Sequence, residues 1–277
     1  MHPDRWHLTD DVDHFLARAG DFLRSRPALH TMPLTVTEKL RTRDPSGAVL
    51  GRLEQAGTVR ATFYRFPSRG LSVTALTPSQ ADALAAYLSS LGHSLPSVSA
   101  DHATATAFAE AWHRHTGATP ALRVRLRLLR LGTLTPPSPP PAGQAQLAGE
   151  PEHEQVMSWC REFAADVGEA VADSWAGTRF AEKRYTFWTI PDGTSVAMAG
   201  VNPLVGGQVR VDPVYTPAHL RGRGYAGAVT VAVSRAALAA GATDVVLFTN
   251  AANPTSNALY ERLGYVPIAD WAGYDFG

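Results

Sequence analysis

A glycine-rich turn, Arg221-Gly222-Arg223-Gly224-Tyr225-Ala226, contains residue types that could bind a phosphate. It lies between an apolar run typical of a strand and a helical pattern that continues to Ala240. Glycine lets the backbone turn tightly and approach a ligand closely, and the first turn of a helix leaves N–H groups unpaired at its positive end. The order strand, turn, helix therefore predicts a pyrophosphate site, to which Arg221 and Arg223 add positive charge.

Two classes of phosphate-binding protein are compatible with this turn. Gly222, Gly224 and Gly227 satisfy the dinucleotide fingerprint GxGxxG, which would indicate a nicotinamide-dependent oxidoreductase. The context of that fingerprint is absent, because only 50 residues follow Gly227 and the next strand begins with its acidic residue, Asp244, instead of ending with one. The oxidoreductase is therefore the weaker of the two phosphate-binding interpretations. A third interpretation is that the glycines only make a tight turn and bind no ligand.

The same turn fits the pattern R/Q-x-x-G-x-G/A, and here the sequence resembles the GNAT superfamily of acyl-CoA-dependent N-acyltransferases. The resemblance continues in residues 253–265, NPTSNALYERLGY, which are similar to that family's N-x-x-A-x-x-L-Y-E-R-L-G-F/Y helix, with Ser256 in place of the usual alanine. It spans residues 142–277. It implies an α/β fold with a mixed central sheet, and acetyl-CoA as the acyl donor.

The resemblance also implies roles for single residues. Tyr260 matches the tyrosine that faces the CoA sulfur and can protonate the departing thiolate. The strand before the turn would bind pantetheine and the acyl carbonyl through its backbone, the turn would bind the pyrophosphate, and an asparagine would contact the pantetheine arm. The implied cofactor-binding residues are Val214, Tyr215, Thr216, Arg221, Gly222, Arg223, Gly224, Tyr225, Ala226 and Asn253.

A general base is not evident, although the incoming amine is mostly protonated at neutral pH and must lose a proton. Glu162, Glu169 and Asp173 lie in the region that forms the acceptor cleft of the resembled family, where residues 170–180 predict a second helix. Each is better explained as a solvated helix carboxylate, so no base is assigned. The acceptor is left open between small-molecule and peptide amines.

Prolines divide the chain near its middle. Residues 135–143 contain five prolines and predict an extended linker between domains at residues 1–134 and 144–277. The predicted elements follow a similar order in both halves, and the helix ends at Gly117 and Gly264 are 147 residues apart. We therefore predict tandem GNAT-like folds.

The first half lacks the glycine turn. Its equivalent strand-to-helix junction, residues 75–80, contains no glycine, and Thr77 before Pro78 predicts a helix cap made by side chains. His113 stands opposite Tyr260 when the halves are aligned without gaps. This half is predicted to be a degenerate GNAT-like domain without a CoA motif, which leaves one acyl-CoA site per chain.

Composition argues against several other classes. The formal net charge is zero, and arginine alternates with apolar residues only in Arg123–Arg127, the pattern of a strand with one wet face, so no nucleic-acid partner is expected. No apolar stretch approaches the roughly 20 residues of a membrane span. Cys160 is the single cysteine, and the ten histidines lack metal-ligand spacing, so we expect no disulfide and no metal.

The combined prediction is a cytoplasmic bacterial N-acetyltransferase. It would transfer the acetyl group of acetyl-CoA to a primary amine by direct attack in a ternary complex. The alternative from another class is a non-catalytic acyl-CoA-binding sensor or regulatory protein. The oligomeric state is not predicted, with a homodimer as one option.

Overall fold

The structure, a computed structural model, describes residues 5–42, 47–66, 70–172 and 174–277. Their contacts divide the chain into two units. The first comprises Met1–Leu128, Thr249–Asn253 and Pro267–Gly277, and the second comprises Leu129–Phe248 and Pro254–Val266. The end of the chain is thus assigned to the first unit, whereas the sequence placed residues 144–277 in one domain. That predicted division into domains stays a prediction.

The first unit is a mixed sheet with helices. Its strands are hydrogen-bonded in the order β1-β2-β3-β4-β5-β12. All the described pairs are antiparallel except β4 with β5. The elements are β1 (Arg5–Thr9), α1 (Val12–Arg24), α2 (Thr31–Thr42), β2 (Val49–Gln55), β3 (Thr58–Phe66), β4 (Gly70–Val73), α3 (Pro78–Ser90), β5 (Ser97–Asp101), α4 (His102–Thr116), most of β6 (Pro120–Leu131) and most of β12 (Tyr265–Phe276).

The first unit has its own apolar core, and side chains cap the start of its helix α3. Trp112, Phe108 and Phe63 are among the largest side chains of that core. At the start of α3 the Thr77 hydroxyl accepts the N–H of Gln80, while the Gln80 side chain accepts the N–H of Thr77. This capping box satisfies free N–H groups at the helix start, as the sequence predicted, so the junction offers fewer donors to an anion.

The second unit contains the glycine turn. Its strands are hydrogen-bonded in the order β11-β10-β9-β8-β7. Among the described pairs of this unit, β10 with β11 is parallel and the others are antiparallel. The elements are β7 (Gln144–Leu147), α5 (His153–Asp166), β8 (Arg184–Thr189), β9 (Ser195–Val201), β10 (Gln208–Tyr215), α6 (Tyr225–Ala239), β11 (Asp244–Asn250, as far as Phe248) and α7 (Pro254–Arg262).

Two apolar clusters build the second unit. One contains α6 residues such as Val229 and Val233 together with Tyr260 and Tyr265. The other contains Trp159 and Cys160 of α5 packed on the side chains of β8 to β10. Apolar groups therefore surround β10, the strand that leads into the glycine turn.

The proline-rich segment, predicted to be a linker, lies along the second unit. Its Thr135 N–H donates to the carbonyl of Leu263 at 3.0 Å, and the indole N–H of Trp188 donates to the carbonyl of Ala142 at 3.1 Å. Proline lacks a backbone N–H, so a segment held by a few bonds at its ends suits this composition.

The predicted helix over residues 170–180 is wrong. In the described part of that range the chain forms only a short 3₁₀ turn, Trp175–Gly177. The Ser174 hydroxyl accepts the N–H of Gly177, and the Thr178 hydroxyl donates to the carbonyl of Trp175. These local bonds compete with helical ones.

Cys160 behaves as a buried apolar residue, as expected. Its side chain is fully buried, and burial raises the pKa of its thiol to about 11. Since the thiolate is the reactive form, we expect the native protein to resist a chromogenic disulfide reagent near pH 8 and to react with one equivalent after denaturation. Fast labelling of the native protein would contradict this burial.

No helix among the described residues has the length and apolarity needed to span a membrane. In the same residues, no three His, Cys, Asp or Glu side chains form a group that could hold a metal ion.

Candidate active site

The glycine turn forms an open helix start. Gly222 and Gly224 have φ angles of +78° and +83°, in the left-handed region that favours glycine. Gly224 is the N-cap of α6 and provides no side-chain cap, in contrast to Thr77 in the first unit. The first helical bond runs from the N–H of Ala228 to the carbonyl of Gly224, so the amides of residues 225–227 lack helical acceptors. These amides can bind an anion.

There is room at this helix start. A Cβ placed on Gly222 would meet no atom within 4 Å, and for one placed on Gly224 the nearest atom would be in Pro141, at 3.8 Å. The glycines are therefore required by backbone conformation and not by crowding. Tyr225 and Ala226, which follow them, are partly exposed.

Arg221 is engaged within the protein. Its Nε donates to the carbonyl of Thr216 at 3.0 Å, and its guanidinium contacts the carboxylate of Asp166. Arg221 thus ties the end of β10 to the turn. Arg223 is also exposed, and of the two predicted phosphate-binding arginines it is better placed to add charge to an anion site.

The end of β10 is irregular. In the second unit its parallel pairing with β11 runs from Gln208 to Val211. On the other side, the register with β9 shifts between Val211 and Val214. The hydroxyl of Thr216 is buried without a hydrogen-bond partner among the described residues. The Thr216 hydroxyl therefore offers an extended ligand a hydrogen-bonding group at this strand end.

A close approach fixes the bulge in β10. A Cβ on Gly200 of β9 would lie 2.8 Å from the carbonyl oxygen of Asp212, 2.8 Å from the Tyr185 ring and 3.0 Å from Pro213. These distances are too short for any larger residue. Glycine at position 200 thus lets the bulge and the Tyr185 ring pack together.

Tyr260 lies in α7 and is buried. Its ring packs edge-on against Tyr265 with 5.9 Å between centroids. Burial, assisted by Tyr265 and by the negative charge of Asp212, raises the pKa of Tyr260 well above its usual range. The hydroxyl is therefore protonated at neutral pH, as a general acid must be.

A buried ion cluster, not predicted from the sequence, lies at the bulge. The guanidinium of Arg179 bonds both carboxylate oxygens of Asp212 at 2.6 and 2.5 Å, and its Nε bonds Glu169 at 2.8 Å. The ammonium of Lys183, whose side chain is 1% exposed, also contacts Asp212. The cluster connects the segment before β8 to β10.

The cluster shifts the acidity of its members. Burial lowers the pKa of Lys183 to about 7, against the attraction of Asp212. Burial alone would raise the pKa of Asp212, but the charges of Arg179 and Lys183 outweigh it and hold that pKa well below its usual range. Asp212 is therefore an anion that Arg179 already neutralises through both carboxylate oxygens, and it makes a poor base.

The three candidate bases differ in their surroundings. Glu169 is paired with Arg179, and Asp173 lies outside the described residues. Glu162 is exposed and accepts a hydrogen bond of 2.6 Å from the hydroxyl of Tyr215. Burial, together with Glu162, raises the pKa of Tyr215 to about 12, so this hydroxyl stays a donor.

Asn253 is not placed at the site by the structure. It falls in the segment 249–253, which is assigned to the first unit, and its N–H donates to the carbonyl of Asn250 at 3.0 Å. Its contact with pantetheine stays a prediction.

The fold is that of the GCN5-related N-acetyltransferases, in tandem. An N-acetyltransferase of this class from Sphaerobacter thermophilus aligns with 99% of this chain and 96% of its own at 17% identity, with a TM-score of 0.58. A GNAT-family acetyltransferase from Colwellia psychrerythraea aligns with 99% and 100% at 13% identity and a TM-score of 0.60. A tandem GNAT protein from the clavulanic acid biosynthesis pathway aligns with 98% of both chains at 14% identity and a TM-score of 0.58. These matches confirm the predicted tandem α/β fold.

The match to a sequence family covers a shorter part of the chain than the structural alignments do. Residues 205–272 match the family described as FR47-like protein, a stretch that includes the glycine turn and Tyr260. A search of curated proteins gives no significant match.

Proposed function

We propose that the second unit is an acyl-CoA-dependent N-acetyltransferase that transfers the acetyl group of acetyl-CoA to a primary amine. The observation that carries the proposal is the uncapped start of α6, which follows a strand end where the register shifts and where the Thr216 hydroxyl lacks a partner among the described residues. An extended pantetheine needs hydrogen-bonding groups along a strand, and a pyrophosphate needs free amides at a helix start. Val214, Tyr215 and Thr216 would meet the first requirement, and residues 222–226 would meet the second.

The chain's own residues suit direct transfer in a ternary complex. A backbone N–H at the end of β10 would stabilise the oxygen on which negative charge develops, an effect worth about 3–4 kcal/mol per donor elsewhere. Pro213 lacks an N–H, so this donor comes from a residue after it. The Tyr260 hydroxyl can donate its proton to the departing sulfur.

Tyr260 is expected to act on turnover and not on binding. Tyr260→Phe keeps the ring and removes the proton donor, so we expect kcat to fall by about 100-fold, within the range found for general acids, with little change in the Kd for acetyl-CoA. Steady-state release of CoA thiol and calorimetry measure the two quantities.

Tyr265→Phe is the matched control. It removes another buried hydroxyl, which bonds Ser234 at 2.8 Å, from the ring that packs on Tyr260. This variant should keep its turnover. Equal kcat in the wild type and Tyr260→Phe would remove Tyr260 from the mechanism.

The first unit has a proposed structural role. Its filled helix start at Thr77 supports the prediction that it lacks a CoA site, which gives one site per chain. The acceptor, a small-molecule or peptide amine, and the cytoplasmic location are likewise proposed.

A further inference from the structure

The carboxylates near the end of β10 are not equivalent. Asp166 contacts the guanidinium of Arg221, and Glu169 and Asp212 contact that of Arg179. Glu162 instead accepts hydrogen bonds from two neutral hydroxyls, those of Tyr215 and Ser158. In the described part of the chain no Lys, Arg or His forms an ion pair with it. Its negative charge is therefore available to a ligand.

The Tyr215 side chain fixes where this charge lies. The Tyr215 backbone belongs to the strand end proposed to hold the acyl group, and its side chain is buried against Trp159 with 5.9 Å between ring centroids. Its hydroxyl reaches Glu162 on α5 at 2.6 Å. A carboxylate on a helix is thus tied to the strand beside which the reaction is proposed to occur.

The charged groups around Glu162 and Tyr215 neutralise one another and leave the negative charge of Glu162 unbalanced. On α5, Asp166 lies one turn beyond Glu162, and Arg221 neutralises it. From the segment before β8, Arg179 packs on Phe163 with 5.6 Å from its guanidinium carbon to the ring centroid, and its charge is balanced by Asp212 and Glu169. Of the described carboxylates Glu162, Asp166, Glu169 and Asp212, only Glu162 has no cationic partner, so an incoming ammonium can bind it.

We propose that Glu162 is the acceptor-binding base, which receives the ammonium of the amine substrate and removes its proton. The assignment rests on the proposed function of the second unit. The assignment goes beyond the proposed function because it names the residue that selects a cationic amine and makes that amine nucleophilic.

The proposed step balances as follows. An N–H bond of the acceptor ammonium breaks, and its proton moves to the Glu162 carboxylate. The nitrogen lone pair then forms the C–N bond at the thioester carbon, and the C–S bond breaks with its electron pair on sulfur. Tyr260 donates a proton to sulfur. Nitrogen then loses a second proton. Of the two protons removed from nitrogen, one returns to Tyr260 and the other passes to solvent. The products are the amide, CoA thiol and one released proton.

Neither buried member of the ion cluster suits this role. Asp212 is a weak base because Arg179 and Lys183 stabilise its charge. The Lys183 ammonium is almost fully buried and directed at Asp212, so an acceptor cannot reach it without breaking that contact. Glu162 is exposed, oriented and unneutralised.

The test is Glu162→Gln in the full chain. Putrescine, spermidine, tyramine, glycinamide and lysine methyl ester serve as probe amines with acetyl-CoA. The amide cannot accept the proton, so we expect kcat/KM for the best amine to fall at least about 100-fold at pH 7, with the Kd for acetyl-CoA changed by less than about 2-fold. The loss should shrink as pH rises towards about 10, where the amine loses its proton unaided.

Two further variants separate this role from a structural one. Glu154→Gln removes another exposed carboxylate from α5 and should match the wild type. Tyr215→Phe keeps the packed ring and removes only the bond that orients Glu162, so it should cause a smaller loss, about 3–10-fold in kcat/KM, without weakening acetyl-CoA binding.

The outcomes are distinguishable. Unchanged kcat/KM in Glu162→Gln, or a loss of the same size at pH 7 and pH 10, would overturn the role of Glu162 and leave the transferase proposal standing. A wild-type protein that binds acetyl-CoA but releases no thiol with any probe amine would overturn both.

Discussion

Replacing Gly224 by Glu is expected to raise the Kd for acetyl-CoA at least about 100-fold, equivalent to about 2.7 kcal/mol. Gly224 caps α6 in the left-handed region, where a side chain is strained. The new side chain would also place a carboxylate beside the amides proposed to bind the pyrophosphate. Charge repulsion and lost access to the amides act in the same direction, and isothermal calorimetry measures the result.

Gly241→Glu is the matched control for this prediction. Gly241 follows the other end of α6, has a φ angle of +91°, and has open space at its Cβ position. The control therefore introduces the same residue and a similar backbone strain away from the turn. It should bind acetyl-CoA like the wild type. Similar affinities in the two variants would remove the turn from the binding site.

The second large effect concerns the stability of the protein. Asp212→Asn leaves Lys183 and Arg179 near each other without their shared counter-charge. Breaking a buried ion pair by removing one partner typically costs about 3–5 kcal/mol, so we expect the free energy of unfolding to fall by that amount. Urea unfolding followed by tryptophan fluorescence measures it.

Lys183→Met provides the internal comparison. In that variant Asp212 keeps its two bonds to Arg179, so no charge is left unpaired, and an apolar side chain fills the buried position. We expect a much smaller loss than in Asp212→Asn. Asp270→Asn, at an exposed position, should be neutral. An Asp212→Asn protein as stable as the wild type would show that the cluster contributes little to folding.

Local patterns in the sequence predicted most of the elements that build the site. The periodicity of residues 152–167 predicted a helix, and α5 spans His153–Asp166. The glycine turn predicted the strand before it and the helix after it, because left-handed glycines and an uncapped helix start are encoded locally. The side-chain cap at Thr77 was predictable for the same reason.

Long-range ion pairs were not predictable in this way. Arg179 and Asp212 are 33 residues apart, and Arg221 and Asp166 are 55 apart, so no periodicity or spacing connects them. One signal was present: Asp212 interrupts the apolar run of β10, and a charge inside a buried strand requires a cation. The chain has only two lysines, and Lys183 is the one in the second half.

The choice among the candidate bases also required the structure. Glu162, Glu169 and Asp173 occupy similar sequence contexts, and what separates Glu162 from Glu169 is a partner elsewhere in the fold. Glu169 meets Arg179, whereas Glu162 meets the hydroxyl of Tyr215.

The most direct test of the central claim is the release of CoA thiol from acetyl-CoA by the purified wild-type protein across the amine panel. We predict thiol release that depends on at least one amine, saturates with its concentration, and is matched by an equal amount of acetylated amine in mass spectrometry. Binding of acetyl-CoA without amine-dependent thiol release from any member of the panel would contradict the assignment as a transferase.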